Sequence, residues 1–403
     1  MTTPERIIAA AAVCALHLAL LAPQVGSGGG SILTDFGPEG TAIEAGALPY
    51  RDEELEYPPL SIPVIVSPAW LGQDLQDYAV AFQVEMLLFD LGIVLLLALA
   101  LRGGRREVLG ALAVYTLGVV AISGIVLDGS DIDEAPLALD RFDLVPAFLV
   151  LAAVLARERG RSATWSALLS AGAMVKAYPL ALFPALLRGE RRPGAVAVAA
   201  LVPVLVAAAL VSGLGDEFAG AIGYHTGRPL QVESVAATPL EILAIDDVAG
   251  GAEFGSGSFN YVGDGAAAAR AITLVLLVGA YALMLWAGWR SGASHLKLAT
   301  ALLAVIVAFS PVLSPQFMFW LLPVSAAAWG LRIQNVVLVV AFVLTQLMLQ
   351  HYSRVVVDFD AEYVWRLAGR NAVLLLYVAL VCWPILRTAL RGVASGECEA
   401  SST

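Results

Sequence analysis

Residues 157–192 read RERGRSATWSALLSAGAMVKAYPLALFPALLRGERR, an apolar segment with a basic turn at each end. By the positive-inside rule, both turns lie on the cytoplasmic side of a membrane. The roughly 25 apolar residues between them cannot cross a bilayer twice at about 1.5 Å per residue. We therefore predict a broken pair of short helices that enters the membrane and returns. Its turn is expected near Lys176, because Pro179 disfavours helix at the residue before it.

Lys176 is the ionisable residue at this turn, and it is one of only two lysines in the chain. Non-helical backbone at membrane depth is tolerated only beside protein or a water-filled cavity. We therefore expect Lys176 to line a cavity that is reached from outside. An ionisable residue inside a membrane segment is by default a functional hypothesis. The alternative is a lysine that only extends its amine to the membrane surface.

The composition is that of a polytopic membrane protein. The 403 residues are 59% hydrophobic and 14% charged, whereas a soluble chain carries about 25% charged residues. No polar stretch exceeds about 55 residues, which is near the lower limit for a domain that folds alone. We therefore predict one membrane-embedded domain over residues 1–403.

Charge and cysteine content exclude several classes of partner. The net charge is −11, and an acidic, lysine-poor, alanine-rich chain is typical of proteins from halophiles. Basic residues gather only in short turns, so we expect no nucleic-acid partner. The spacing of Cys14, Cys382 and Cys398 fits neither a zinc site nor a disulfide framework.

Ten apolar runs are long enough to be predicted as spans. They are residues 7–24, 78–101, 107–127, 138–156, 193–213, 270–289, 296–310, 315–330, 333–350 and 371–389. The charge rule places the basic turns inside and the acidic loops 25–77, 128–140 and 214–268 outside. Both termini, including the tail 390–403, are then cytoplasmic. We predict a multi-pass protein of the plasma membrane.

The first outer loop holds a candidate catalytic carboxylate. Asp35 follows shortly after the first helix, so its carboxylate should lie near the membrane surface, where it can act as a general base or remain a solvated loop residue. The loop continues as AGALPYRDEELEYPPL at residues 45–60, which is too polar for a bilayer. Its Tyr57-Pro58-Pro59 stiffens the chain as it turns back to the membrane.

A second outer region is dense in carboxylates. Its acidic residues are Asp128, Asp131, Asp133, Glu134, Asp140 and Asp143. Clustered oxygens suit a hard cation, but the spacing is not that of an EF-hand. A solvated acidic loop explains the pattern, and we predict no metal. Arg141 and Asp143 enter the next helix, where we expect a structural Arg–Asp pair.

Two further outer segments carry groups that can bind a ligand. His225 and Arg228 lie in the third outer loop, on the same side as Asp35. The fork of donors on an arginine matches phosphate oxygens. Gln316 stands at a predicted helix start, where it can face a ligand. The alternative is ordinary loop polarity, because prolines also simply begin and end helices.

Taken in chain order, these segments form a series of motifs. The series is Asp35, Gly46-x-x-Pro49-Tyr50-Arg51-Asp52, Glu56-Tyr57-Pro58-Pro59-Leu60, Arg141-Phe-Asp143-Leu-x-Pro146, Lys176-Ala-Tyr178-Pro179, Arg228-Pro-Leu-Gln-Val-Glu233-Ser234 and Ser314-Pro315-Gln316-Phe-Met-Phe-Trp320. It resembles glycosyltransferase family 87 of the GT-C superfamily, over residues 30–325. No single motif decides the family. The order of the motifs and the side of the membrane predicted for each make the resemblance specific.

The resemblance implies an all-α, GT-C-like bundle of about ten spanning helices plus the broken pair, with a large first outer loop. It implies an enzyme that uses a polyprenyl-phosphate sugar as donor and needs no cofactor. Asp35 would deprotonate an acceptor hydroxyl, whose oxygen displaces polyprenyl phosphate with inversion. Binding of the donor then falls to Lys176, His225, Arg228 and Gln316.

Two assignments stay open within this resemblance, the base and the sugar contact. Members of the family often carry an aromatic residue a few positions after the loop aspartate, whereas this chain reads Phe36-Gly-Pro-Glu39. Glu39 therefore competes with Asp35 as the base. Either Tyr50 or Tyr57 can contact the sugar, or the loop is only a scaffold. Glu233 is expected near the site in a structural role.

The expected reaction is transfer of a sugar, the hexose mannose ahead of arabinofuranose, to a lipid-linked or glycolipid acceptor outside the cytoplasm. Membrane lipids, the lipid-phosphate donor and the acceptor are then the partners. The alternative is a transporter or flippase of polyprenyl-linked glycans, which a broken helix with a buried cation also suits. The sequence shows no paired broken segments in two halves, the mark of inverted repeats. A catalytically inactive scaffold subunit is a third reading.

Overall fold

A computed structural model describes residues 1–53, 55–72, 74–124, 136–210, 227–245, 251–349 and 359–400. Helices dominate these residues. The α-helices are α1 (Thr3–Leu21), α2 (Gly37–Glu44), α3 (Ile62–Val66), α4 (Leu75–Leu95), α5 (Arg105–Ile122), α6 (Leu137–Asp140), α7 (Leu144–Glu158), α8 (Ser162–Val175), α9 (Phe183–Leu187), α10 (Pro193–Leu210), α11 (Thr238–Ala244), α12 (Ala266–Ser291), α13 (His295–Phe309), α14 (Met318–Trp329), α15 (Ile333–Leu349) and α16 (Ala361–Ala400).

Helix length and hydropathy agree with a membrane protein. Within the described residues, four helices are long and apolar enough to cross a membrane: Thr3–Gln24, Leu75–Ala100, Ala266–Ser291 and Ala361–Arg391. Several shorter apolar helices accompany them, including His295–Phe309 and Ile333–Leu349. At about 1.5 Å per residue these are shorter than a hydrocarbon core of about 30 Å. The predicted count of ten spans therefore stays a prediction.

One apolar core joins most of the helices. It takes buried side chains from α4, α5, α7, α8, α13, α14 and α16. Close approach depends on small residues: a Cβ added to Gly118 of α5 would lie 2.4 Å from the Leu322 side chain of α14. Helices in a membrane give up contacts with lipid when they associate, and close packing at small residues provides van der Waals contacts in their place.

The segment between the two basic turns is broken and returns, as predicted. Helix α8 ends at Val175, Lys176 is extended (φ −152°, ψ 133°), and a 3₁₀ turn leads into α9. The two ends of the segment meet, because Glu190 accepts hydrogen bonds from Ser162 (2.8 Å) and from the indole of Trp165 (2.9 Å). The non-helical turn at Lys176 therefore lies at the far end of the segment from these paired ends.

A β-hairpin is the exception to the all-α prediction. Strands β1 (Gly251–Gly255) and β2 (Ser258–Val262) pair antiparallel. Their two-residue turn, Ser256-Gly257, has positive φ at both residues (52° and 66°), the conformation that matches the twist of paired strands. Backbone bonds to Leu230 and Val232 join the preceding loop to β2. The short alternating runs around Ser-Gly were the available sequence signal.

The first outer loop folds into short helical pieces. A π-helical turn, Ile32–Phe36, leads directly into α2. Helix α2 packs closely on α3, since a Cβ on Gly40 would lie 2.4 Å from the Ile65 carbonyl. The hydroxyl of Tyr78 in α4 donates to the same carbonyl at 2.7 Å. The loop is thus held against the helix that follows it.

Candidate functional site

A cavity of about 590 Å³ lies where the first outer loop, the broken segment, the hairpin and helices α12 and α13 meet. Its lining residues are Asp35, Glu56, Tyr57, Pro58, Arg141, Lys176, Ala177, Tyr178, Arg228, Gly257, Arg270, Leu274, Leu277, Ile306, Ser310, Pro311, Val312, Ser314, Gln316, Phe317 and Trp320. Four of them are basic and two are acidic. Segments that are far apart in the chain therefore build one charged pocket.

The cavity gathers six of the residues singled out from the sequence. They are Asp35, Tyr57, Arg141, Lys176, Arg228 and Gln316. Glu39, Tyr50, Asp143 and Glu233 are not among the lining residues. His225 lies outside the described residues, as do Asp128, Asp131, Asp133 and Glu134 of the acidic loop. The expectation that this loop binds no metal stays a prediction.

Asp35 enters the cavity from the π-helical turn before α2. Its side chain is exposed, whereas the next residue, Phe36, is 2% exposed. The Phe36 ring packs on Phe82 at 5.5 Å and on Phe142 at 5.3 Å between centroids. A buried aromatic anchor therefore presents an accessible carboxylate to the cavity. Such a carboxylate can accept a proton from a bound hydroxyl group.

Glu39 lies one helical turn beyond Asp35, but it does not line the cavity. Burial raises the pKa of Glu39 from 4.5 to about 8, and the nearby charges of Asp35, Glu56 and Glu53 add to this rise. At neutral pH its carboxyl is mostly protonated and cannot accept a further proton. The geometry therefore favours Asp35 over Glu39 as the base.

The raised pKa of Glu39 predicts a pH-dependent stability. The folded chain keeps the Glu39 proton up to about pH 8, whereas the unfolded chain releases it near 4.5. Folding therefore binds an extra proton between these values, and the free energy of unfolding falls as pH rises through them. We expect Glu39→Gln, which cannot ionise, to flatten this fall when melting temperature is measured from pH 5 to 9.

The control for this pH series is Glu44→Gln, at an exposed position near the end of the same helix. It should follow the wild-type pH dependence. A Glu39→Gln protein that loses stability with pH as steeply as the wild type would show that Glu39 ionises normally in the folded state.

Lys176 is held at the turn by a buried ion pair. Its ammonium donates to both carboxylate oxygens of Asp143, at 2.8 and 3.0 Å. Asp143 is 1% exposed and also accepts from the indole nitrogen of Trp320 at 2.6 Å. One carboxylate thus positions both a cation and an aromatic ring of the cavity wall. Lys176 lines the cavity, and the expectation that this cavity is reached from outside stays a prediction.

Aromatic rings form the part of the cavity around Lys176. Trp320 stacks on Tyr178 and on Phe317, with 4.0 Å between centroids in each case. The ammonium lies 5.5 Å from the ring centroid of Tyr57 and 5.6 Å from those of Phe317 and Trp320. A desolvated ammonium at this distance is attracted by the ring faces.

The predicted structural pair between Arg141 and Asp143 is wrong. Arg141 lies 3.5 Å from Asp140 and lines the cavity, whereas Asp143 pairs with Lys176. Residues two apart at the start of a helix do not face each other. The helix entry therefore turns Arg141 toward the cavity and Asp143 into the core.

Arg228 and Arg270 stand on the hairpin side of the cavity. Arg228 donates to the Ser256 carbonyl at 2.8 Å and to the Ser258 hydroxyl at 2.9 Å. Arg270, in the second turn of α12, donates from Nε to the Arg228 carbonyl at 2.9 Å. Sequence reasoning missed Arg270; its one signal was a basic residue at the N-terminal end of a long apolar run.

Two sequence candidates lie away from the cavity. The hydroxyl of Tyr50 donates to the Tyr57 carbonyl at 2.7 Å, and Tyr50 is 5% exposed with a positive φ of 69°. It therefore braces the loop, while the Tyr57 ring lines the cavity. Glu233 is 2% exposed, and its carbonyl accepts from buried Arg370 at 2.8 Å. It belongs to the contact between the third outer loop and α16.

Comparison with known protein families adds one finding. The family model described as Glycosyltransferase family 87 matches residues 55–315, which is more than half of the chain. The matched range includes most of the residues that line the cavity, while Asp35 precedes it. No curated protein matches the chain.

Proposed function

Because this chain belongs to glycosyltransferase family 87, we propose that it moves a sugar, with mannose as first choice, from a polyprenyl-phosphate donor to a lipid-linked or glycolipid acceptor. The observation that carries this proposal is one cavity with an accessible carboxylate, Asp35, among four basic side chains. A base and a site for a departing phosphate are the two groups that such a transfer requires. We further propose that the cavity faces the extracytoplasmic side of the plasma membrane, with both termini cytoplasmic.

Asp35 acts as the base in the proposed reaction. Its carboxylate takes the proton of the acceptor hydroxyl as that oxygen attacks the anomeric carbon. The bond from this carbon to the phosphate oxygen breaks, its electron pair leaves with polyprenyl phosphate, and the configuration inverts. A glycosidase needs a second carboxyl group to protonate a poor leaving group. A phosphate leaves as a stable anion, so a single base is enough.

Basic and aromatic side chains share the binding of the donor. Lys176, Arg228 and Arg270 provide positive charge for the phosphate, which gains charge as the bond breaks. Tyr57 offers a ring to the sugar, and Gln316 offers amide donors and an acceptor to its hydroxyls. His225 of the third outer loop stays a further candidate for the phosphate.

The first test is transfer from radiolabelled polyprenyl-phosphate mannose to membrane lipids by the purified chain in liposomes that contain endogenous lipid extract. Formation of a labelled glycolipid supports the proposal. If no product forms with the mannosyl or the arabinofuranosyl donor, while labelled donor crosses the liposome membrane, the chain is a flippase of polyprenyl-linked glycans and not a transferase.

Metal removal provides an independent prediction. We expect transfer to continue unchanged in EDTA, since protein cations can meet the leaving phosphate and the mechanism has a single base. The measurement is the initial rate before and after chelation, and after adding Mg²⁺ or Mn²⁺. Loss of activity in EDTA that either ion restores would contradict this mechanism.

A further inference from the structure

One helix gives the cavity both a charged and an apolar wall. Arg270, Leu274 and Leu277 of α12 all line the cavity. Their spacing of four and three residues places them on one face of the helix. From Arg270 to Leu277 this face, named here the α12 face, extends about 10 Å along the helix axis. Its polarity changes in one direction, from a guanidinium at the outer end to two leucines.

The α12 face shares the cavity with further apolar residues. Ile306 of α13 and Val312 line the same cavity. The hydroxyl of Thr273 donates to the Phe309 carbonyl at 3.0 Å and so ties α12 to the end of α13. Apolar side chains from two neighbouring helices therefore line the same cavity.

The opposite side of α12 faces outward. Ile272 and Val275 are 60% and 72% exposed, in a helix long and apolar enough to span a membrane. Helix α12 is thus a wall one helix thick, with the cavity on one side and lipid expected on the other. A lipid substrate can reach the cavity past such a wall without crossing the protein core.

The charged end of the α12 face is fixed in place by the hairpin. Arg270 donates to the Arg228 backbone, and Arg228 is itself bound at the hairpin turn through Ser256 and Ser258. The hairpin turn therefore holds the Arg228 side chain, and the Arg228 carbonyl in turn holds Arg270. By contrast, Lys176 is bonded to both oxygens of Asp143 at the aromatic end of the cavity.

We propose that the α12 face binds the lipid part of the donor, with the phosphate at Arg228 and Arg270 and the first isoprene units on Leu274 and Leu277. This inference rests on the proposed function and specifies how its donor is held. An isoprenyl phosphate has the same order of groups, an anion followed directly by an apolar chain. The aromatic rings near Lys176, Tyr57 among them, are then left for the sugar.

The contact beyond Leu277 limits how much of the lipid is recognised. Tyr281, one turn further along α12, donates to the Ala181 carbonyl of the broken segment at 2.6 Å. This bond closes α12 against the broken segment. The isoprenyl chain of the donor therefore leaves the α12 face for the bilayer near Leu277, and the protein contacts only the first isoprene units.

Two donors that differ only in their lipid test this inference. One is polyprenyl-phosphate mannose and the other is ethyl-phosphate mannose, which keeps the sugar and the phosphate. In Leu274→Trp and Leu277→Trp the larger indole takes the space of the first isoprene units. We expect kcat/KM for the polyprenyl donor to fall about tenfold, which corresponds to the loss of roughly two buried methylene contacts between the lipid and the protein. Both variants should leave kcat/KM for the ethyl donor within about twofold.

Arg270→Gln should lower kcat/KM for both donors by a similar factor, because both carry the phosphate. The matched controls are Ile272→Trp and Val275→Trp on the outward side of α12, and Arg290→Gln at its other end. These controls should leave kcat/KM for both donors unchanged.

The outcomes separate this inference from the proposed function. Equal losses for both donors in the leucine variants, or no loss in either, would overturn the inference while the wild-type transfer still stands. Equal effects of the leucine variants and of the outward-side controls Ile272→Trp and Val275→Trp would also overturn it. Absence of transfer by the wild type from any polyprenyl-phosphate sugar would overturn the proposed function and, with it, this inference.

Discussion

Asp35→Asn is expected to abolish sugar transfer, with kcat falling about 10²–10⁴-fold, the usual contribution of a positioned general base. The amide has the shape of the carboxylate but cannot take the acceptor proton. Phe36 still anchors the π-helical turn, so the cavity should keep its form. The measurement is the initial rate with polyprenyl-phosphate mannose, together with the KM for the donor, which should change little because the base does not hold it.

Two further variants make this result specific. Glu39→Gln should keep most of the activity at neutral pH, because the raised pKa already leaves this carboxyl protonated there. Glu44→Gln, exposed and outside the cavity lining, should match the wild type. Activity that disappears in Glu39→Gln and persists in Asp35→Asn would move the base to Glu39.

Asp143→Leu is expected to destabilise the protein by about 3–5 kcal/mol, the cost of removing one partner of a buried ion pair. The variant leaves the Lys176 ammonium, whose side chain is only 13% exposed, without its carboxylate. It also removes the acceptor of the Trp320 indole. Transfer should be lost as well, because both Lys176 and the aromatic stack lose their support. Thermal unfolding in detergent and the rate of transfer are the measurements.

A double variant separates stability from activity at this pair. Lys176→Met with Asp143→Leu replaces both charges by apolar groups of similar size, which is often nearly neutral for stability. It should recover most of the lost stability while transfer stays absent. The control is Asp52→Asn, in the exposed pair with Arg51, where the stability should stay close to that of the wild type. Recovery of both properties in the double variant would show that Lys176 has no role in transfer.

Several features of the candidate site were predictable from local rules. The basic turns on both sides of residues 163–187, together with Pro179, predicted the break at Lys176 before any contact was known. Position in the first outer loop pointed to Asp35, and arginine chemistry pointed to Arg228. Each of these depends on neighbours within a few residues or on the sign of a flanking charge, which the sequence displays directly.

Other features depend on contacts between distant segments. Asp143 was paired with Arg141 from proximity in sequence, but the fold brings it to Lys176, 33 residues away, and to Trp320, 177 residues away. Arg270 looks like an ordinary basic residue at the end of a span. Its place in the cavity follows from two contacts: the hairpin binds Arg228, and the Arg228 carbonyl accepts a hydrogen bond from Arg270.

The sequence by itself determined that this chain is a membrane protein, where its central segment breaks, and which polar residues compete for a catalytic role. Hydropathy, flanking charge and proline restrict the backbone locally, so these properties need no partner segment. Only the tertiary structure decided that Asp35 lies in the cavity while Glu39 does not, and that Asp143 supports Lys176. It also decided that one face of α12 leads from arginine to leucine inside the cavity. Those outcomes depend on which helices pack together, because burial and pairing are properties of the assembled core and not of any one stretch of chain.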